Sequence, residues 1–333
     1  MTDPLISIIM ITYNHAPYIS EAIEGVLQQK TDFPFELVIG EDCSTDGTRE
    51  IVFEYQKKYP EIIRVITSDK NVGMKANSVR TKKVLRGKYV AFCEGDDYWH
   101  NPGKLQLQTE YMENHPECGV THSNFDIFIG ESNKIVKDYI GFRKFEVPRK
   151  MNIYDILDDC GIGFWIRTCT AMVRRDQYER LTYADPYLYQ SGHFLMGDEQ
   201  LWAEISLTSE VIFFPEAMAT YRILGESASH SNNPIKKAVF NRSASELKLY
   251  LCDKHKLPAE FRRKMEHVWF EHSLRLAFLQ KNKDLALEIK KKKQNFTYKD
   301  WLRYYGARNS MCHYLFRLID YIRSLFGNEL HIG

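Results

Sequence analysis

The stretch Lys88–Trp99, KYVAFCEGDDYW, decides how the chain is read. Its first half, Lys88–Cys93, is short, apolar and rich in residues that suit a buried strand. Its second half is acidic: Glu94, Gly95, Asp96, Asp97. A strand that ends on adjacent carboxylates concentrates negative charge at the edge of a sheet. Asp96 and Asp97 repel one another, so a positive partner is expected. A hard divalent cation, Mg2+ or Mn2+, takes oxygen ligands from one or two carboxylates and leaves room for phosphates. Gly-Asp-Asp also suits a plain turn, and at this point both readings stand.

The same pattern recurs upstream. Residues 5–11 (LISIIMI) predict a strand, followed by the polar loop Thr12-Tyr13-Asn14-His15-Ala16-Pro17 and a helix over Tyr18–Gln29. Glu36–Gly40 predicts a second strand, ending in Glu41-Asp42-Cys43-Ser44-Thr45-Asp46-Gly47, with Ser44 or Asp46 placed to cap a helix that runs to Tyr59. Ile62–Ile66 predicts a third strand and Asn77–Leu85 a helix before the opening stretch. Strand and helix alternate over about 95 residues, which predicts an α/β fold with a mainly parallel sheet covered on both faces. In such sheets ligands bind beyond the carboxyl ends of the strands. The three unusual polar loops, TYNHAP, EDCSTDG and EGDD, all fall there. Asp42 is placed either to accept a hydrogen bond from a nucleobase or ribose or to cap a helix.

Downstream, residues 104–114 predict a helix, Gly119–Phe128 a strand, Thr168–Val173 a strand, Asp198–Leu207 a helix and Val211–Phe214 a strand. Residues 130–165 are irregular and aromatic. Asp198-Glu199 at a helix start either complements the helix dipole or supplies a general base. After Pro234 helical patterns cover 235–252, 260–280, 283–293 and 311–326. The expected domains are a catalytic domain over 1–233 and a basic helical region over 234–333.

Composition narrows the function classes. The chain has 333 residues, 44% hydrophobic and 27% charged, which is ordinary for a globular protein. No GxGxxG follows the first strand and no GxxxxGK[ST] occurs, against a dinucleotide-dependent oxidoreductase and a P-loop NTPase. The seven cysteines show no CxxC spacing and are expected to be reduced. No HExxH or related histidine pattern is present. His230 sits in the polar run Ser227–Ser231, where it either meets a ligand or is merely exposed. The apolar runs are far shorter than the roughly 20 residues that span a bilayer, and Met-Thr-Asp-Pro lacks the character of a signal peptide. A cytoplasmic location is expected, with no nucleic-acid partner.

Taken together, SIIMITYNHAPYISEAIEGVLQQ, ELVIGEDCSTDGT, Asn71–Gly73 (NVG), RGKYVAFCEGDDYW and GDEQLW resemble the family 2 glycosyltransferases. The variant EGDDYW, followed by Pro102 and Lys104–Gln106, is similar to a bacterial subgroup associated with cell-surface polysaccharide assembly. The resemblance covers roughly residues 5–231. It implies a GT-A nucleotide-sugar-binding fold and an inverting transfer from a nucleotide sugar, usually UDP-linked, to a glycan or lipid-linked acceptor, with Mg2+ or Mn2+. By position, Thr12, Tyr13 and Asn14 would line the nucleotide pocket and Asp42 would hold the base. Asp97 would bind the metal, Asp96 ribose or metal, and Asp198 would be the catalytic base with Glu199 beside it. Two departures stand out. Ser78-Val79 replaces an Arg-Asn pair, leaving Lys75 or Arg80 to supply basic donor contacts. Tyr221-Arg222-Ile223-Leu224 lacks the family's histidine, leaving His230 as the third metal contact. The alternative is a nucleotide-sugar or glycan-binding module of the same fold without turnover.

Charge is unevenly spread. Residues 1–233 carry 24 basic and 34 acidic side chains, residues 234–333 carry 21 and 10. The later part holds Lys290–Lys293 and an apolar stripe over 311–326 (Met311, Leu315, Leu318, Ile319, Ile322, Leu325, Phe326). Three readings of that stripe stay open: docking on the catalytic domain, a homodimer interface, or peripheral attachment to an anionic inner membrane.

Overall fold

The computed structural model describes residues 3–225 and 231–315. The chain divides into two compact units. One takes in the residues up to Gly192 together with Gly197–Leu224, the other His193–Met196 and the residues from Gly225 on.

The first unit begins with the expected alternation: β1 (Ile6–Thr12), α1 (Ile19–Leu27), β2 (Phe35–Glu41), α2 (Thr48–Lys58), β3 (Ile63–Ile66), α3 (Met74–Lys82) and β4 (Tyr89–Phe92). It continues with β5 (Tyr98–Trp99), α4 (Lys104–Asn114), β6 (Cys118–Ile129), β7 (Lys134–Val136), α5 (Tyr139–Arg143), β8 (Lys150–Met151) and α6 (Ile153–Leu157). β9 (Met172–Arg174), α7 (Arg175–Ala184), α8 (Pro186–Tyr189), α9 (Glu199–Ile205) and β10 (Glu210–Ile223) complete it. The strands form one sheet in the order β3-β2-β1-β4-β9-β6-β10-β5, with β7 on β6 and β8 on β10. The long ladders, β1 with β2, β3 on β2, β4 on β1 and β10 on β6, are parallel. β9 is antiparallel to both neighbours. The sheet is therefore mixed but mostly parallel, as expected. Ile6, Ile8 and Met10 of β1, Leu37 and Ile39 of β2 and Ile19, Ile23 and Val26 of α1 share one core.

Three local expectations change. Val211–Phe214 is only the start of β10, which runs on for 14 residues. Pro215 interrupts the apolar pattern, yet the ladder with β6 shifts register between Phe214 and Ala217, so the missing N–H falls at a bulge. The strand expected over Thr168–Val173 splits into a 3-10 turn, Thr168–Thr170, and β9. α7 and α8 arise inside a polar stretch that gave no clear periodicity.

The second unit is helical: α10 (Pro234–Lys254), α11 (Ala259–Gln280), α12 (Lys283–Lys292) and α13 (Tyr298–Arg308). Phe270, Leu274 and Ala277 of α11 bury against Ala286 and Ile289 of α12 and Tyr304 and Ala307 of α13. α13 was not expected. It starts on a capping box in which Thr297 and Asp300 satisfy each other's backbone N–H. Of the run Lys290–Lys293, Lys293 is buried and paired with Asp300 at 2.6 Å, so it does not belong to an exposed basic patch. Residues 311–315 are helical and the rest of the expected apolar stripe lies outside the described residues. Among the described residues no helix is long and apolar enough to cross a membrane.

Candidate active site

The carboxyl ends of β1, β2 and β4 lie side by side, so their polar loops meet. The loop after β1 is held by the loop after β2. The N–H groups of Asn14, His15 and Ala16 donate to Ser44 Oγ, Thr48 Oγ1 and Asp46 Oδ2, while Asn14 Oδ1 accepts the Thr45 N–H. Asn14 adopts a left-handed backbone (φ 56°), which asparagine tolerates better than most residues. Asp46, not Ser44, meets the start of α2, accepting the Thr48 N–H. Tyr13 is exposed and Thr12 buried.

Asp42 is buried and holds three partners. Its two oxygens accept the N–H groups of Val72 and Gly73, each at 2.9 Å, and the Arg80 guanidinium reaches Oδ1 at 3.4 Å. The carboxylate thus clamps the Asn71–Gly73 loop onto the sheet. Arg80 also donates to the Glu41 carbonyl and to Asn77. It therefore brings positive charge to the place left open by Ser78-Val79. A cavity of about 660 Å³ adjoins this end of the site, lined by Val72, Gly73, Lys75, Arg80, Lys83 and Gln190. Burial lowers the Lys75 ammonium.

The other end is built from Glu94, Asp96 and Asp97. Gly95 lets this loop touch the loop after β1: a Cβ there would stand 2.6 Å from Thr12 Oγ1 and 3.0 Å from His15 Nδ1. Asp97 is 3% exposed. Its Oδ1 accepts the backbone N–H of Arg222 at 2.8 Å, and the Cys169 thiol bonds to the same carboxyl. The Arg222 guanidinium donates to the Asp96 carbonyl and pairs with Glu21, and it lies over the Tyr98 ring at 4.6 Å. Its charge is thus spent mainly away from the acidic side chains.

Electrostatics mark this loop. Burial, then Asp96, push Asp97 up to about 8, against the lowering effect of its hydrogen bonds. Burial, then Asp97 and Asp96, raise Glu94 well above the carboxylate range, and Asp198 adds to the effect. The buried lysine beneath, Lys104, is pushed down to about 7 by burial. Its Nζ donates to Gln108 and lies over Trp99, so it supplies little compensation. Thr12 Oγ1, His15 Nδ1 and Glu94 Oε2 are buried without a hydrogen-bond partner among the described residues. Crowded carboxylates and orphaned polar atoms are what a cation site presents when its charge is counted without the cation. A divalent ion fits. Among the described residues no three His, Cys, Asp or Glu side chains stand in metal-holding geometry. Asp97 and Asp96 would hold the ion, with the remaining ligands from a bound phosphate chain.

Asp198 caps α9 at the same site. It is half-buried, with Oδ1 accepting the Glu199 N–H at 2.9 Å and Oδ2 accepting the Thr168 hydroxyl at 2.6 Å. Glu199, in contrast, points inward and is 4% exposed. His230 lies outside the described residues.

Sequence reasoning missed the turn Thr168–Thr170. Thr168 holds Asp198 and Cys169 bonds Asp97, so one turn spans both carboxylates. Trp99 Nε1 pins the Cys169 carbonyl and Gln108 pins that of Thr170. The only signal was a pair of threonines inside the apolar stretch Gly163–Val173.

The chain is similar to known proteins in sequence and in fold. Residues 7–181 match the model for Glycosyl transferase family 2. Uncharacterized protein Rv1520 of Mycobacterium tuberculosis is 34% identical over 227 residues, 68% of this chain and 60% of that protein. The chain thus spans about 60% of the length of the mycobacterial relative. The Escherichia coli protein WfgD, a UDP-Glc:alpha-D-GlcNAc-diphosphoundecaprenol beta-1,3-glucosyltransferase, is 30% identical over 59% of this chain and 69% of its own. The mannosyltransferase PcManGT from Pyrobaculum calidifontis, solved with GDP-Man and Mn2+, has the same fold. It superposes with a TM-score of 0.55 at 14% identity, over 96% of this chain and 88% of that one.

Proposed function

The chain belongs to glycosyl transferase family 2, and from that premise we propose that it is an inverting, metal-dependent glycosyltransferase. It moves a sugar from a nucleoside diphosphate sugar, UDP-linked in the first instance, to a hydroxyl of a glycan or lipid-linked acceptor. The observation that carries this reading is the meeting of an acidic loop and a further carboxylate at one turn. Glu94, Asp96 and Asp97 crowd at the end of β4 with too little positive charge, and the turn whose Cys169 bonds Asp97 also holds Asp198 through Thr168.

In this reading each site residue has a role. Thr12, Tyr13 and Asn14 face the nucleotide. Asp42 holds the 71–73 loop and keeps one acceptor position for a base N–H, since a carboxylate offers about four. Arg80 and Lys75 supply positive charge at the donor end. A divalent ion on Asp97 and Asp96 would neutralise charge developing on the departing diphosphate. Asp198 takes the proton from the acceptor hydroxyl as that oxygen attacks the anomeric carbon. The Thr168 hydroxyl and the Glu199 N–H fix the Asp198 carboxylate in one orientation, so the proton is received at a defined place. Attack opposite the leaving group inverts the anomeric centre, and no enzyme nucleophile is needed. WfgD's lipid-diphosphate acceptor makes a lipid-linked acceptor the first to try.

The test is a panel of UDP-, GDP- and dTDP-sugars with Mn2+ or with chelator. Thermal shift reads donor binding, and release of nucleoside diphosphate reads turnover. A cation-dependent donor response with turnover supports the reading. Donor binding without turnover across all acceptors would support a binding module instead.

A further inference from the structure

The segment that supplies Thr168 carries a second feature that the transfer mechanism above does not use. From Phe164 to Arg167 the side chains alternate: Phe164 and Ile166 are buried, Trp165 and Arg167 half-buried. Arg167 is ringed by aromatics. Its guanidinium lies 4.5 Å from the centre of the Tyr221 ring, 5.2 Å from Trp165 and 5.4 Å from Phe125. Ring faces attract a cation but accept nothing in the guanidinium plane. Arg167 Nε is buried and has no hydrogen-bond partner among the described residues, and no carboxylate among them pairs with the side chain. A planar fork of donors is therefore held in place with its in-plane edge unanswered, which is the geometry that matches a phosphate or carboxylate.

Its place in the chain says what would fill it. Arg167 immediately precedes Thr168, whose hydroxyl holds Asp198. Tyr221 immediately precedes Arg222, whose N–H holds Asp97. Arg167 is thus next in the chain to the residue that orients the base, and its ring contacts with Phe125, Trp165 and Tyr221 include none at the Asp42–Arg80 end, where the donor's nucleotide is placed. We propose that Trp165, Arg167 and Tyr221 form an acceptor subsite. It takes an acceptor with an anionic oxygen group, phosphate or carboxylate, close to the hydroxyl that Asp198 deprotonates. This rests on the glycosyltransferase reading and narrows its substrate class. The rings give a sugar or its linker an apolar face to lie against, and the guanidinium supplies the charge-assisted bonds.

The test uses the full chain with its best donor and Mn2+. Three octyl acceptors of one sugar are compared: a neutral glycoside, a diphosphate ester and a uronide. Wild type should favour one anionic acceptor over the neutral one by about 10–100-fold in kcat/KM, the worth of charged hydrogen bonds. Which of the two is favoured tells a lipid diphosphate from an acidic sugar. Arg167→Met should erase that preference with the donor KM unchanged, and Arg167→Lys should keep part of it. The inference is overturned if the neutral acceptor serves wild type equally well, if the preference survives Arg167→Met, or if the donor KM rises instead. Failure of wild type to release nucleoside diphosphate from any donor would overturn the glycosyltransferase reading itself, and the subsite with it.

Discussion

Glu36 and Asp97 are buried carboxylates at opposite ends of two strands that flank β1 in one sheet, and they are treated very differently. Glu36 lies near the amino end of β2 and is answered on every side. It accepts the Ser7 hydroxyl and the Arg86 N–H, and it pairs with Arg86 at 2.8 Å and Arg64 at 3.3 Å. Asp97, past the carboxyl end of β4, receives one backbone N–H and one thiol while Asp96 and Glu94 press on it. A completed set of partners makes a carboxylate part of the scaffold. An incomplete one, kept buried, leaves room for a cation. The same contrast runs inside the site. Asp42 is taken up by the 71–73 loop, whereas the Glu94–Asp97 loop has orphaned neighbours.

Substitution should separate the two classes. Asp97→Asn should lower transfer by about 10²–10³-fold and abolish cation-dependent donor binding. The melting temperature of the metal-free protein should hold or rise, because asparagine lacks a carboxyl that ionises more readily in the unfolded chain than in the fold. Near-normal transfer with Mn2+ would place the cation elsewhere. Glu36→Gln should do the reverse, costing about 3 kcal/mol of stability, the low end for a broken buried pair because both arginines are partly exposed. Chemical denaturation would read it, and donor affinity should stay unchanged. A smaller effect belongs to Thr168→Val. Loss of its bond to Asp198 should reduce kcat about 10-fold, with donor affinity intact and Thr168→Ser restoring the rate.

A pH-dependent effect serves as a control away from both carboxylates. His122 is buried beside Met151, Phe164 and Phe213, and burial pushes its imidazole down to about 3 from 6.5. The unfolded chain binds that proton first as pH falls. Its contribution is therefore complete above pH 6.5 and lost progressively toward pH 3. Against His122→Leu, wild type should lose stability over that window, with no difference in slope above pH 7.

Much of this was legible in the sequence because strand and helix periods differ and polar loops interrupt them cleanly. β1 to β4 along the chain and the clustering of TYNHAP, EDCSTDG and EGDD at their carboxyl ends follow from that alone. Legibility failed where contact, not period, decides. Thr168–Thr170 is a turn because its carbonyls are pinned by Trp99 and Gln108, which lie about 60 to 70 residues away in the chain. Arg222 serves Asp97 through a backbone N–H, which no side-chain pattern reveals. α13 is aromatic on several faces, and only the Thr297–Asp300 capping box announced it. The GT-A expectation was confirmed at the level of fold, while the roles of single residues rest on the proposal.

The most direct measurement is on Asp198→Asn, with donor dissociation constant and transfer rate determined side by side in Mn2+. Asparagine keeps the shape but cannot take the proton. Transfer should fall about 10²–10⁴-fold with donor affinity unchanged. Little change in turnover with a large rise in the donor dissociation constant would contradict it and move Asp198 to donor binding.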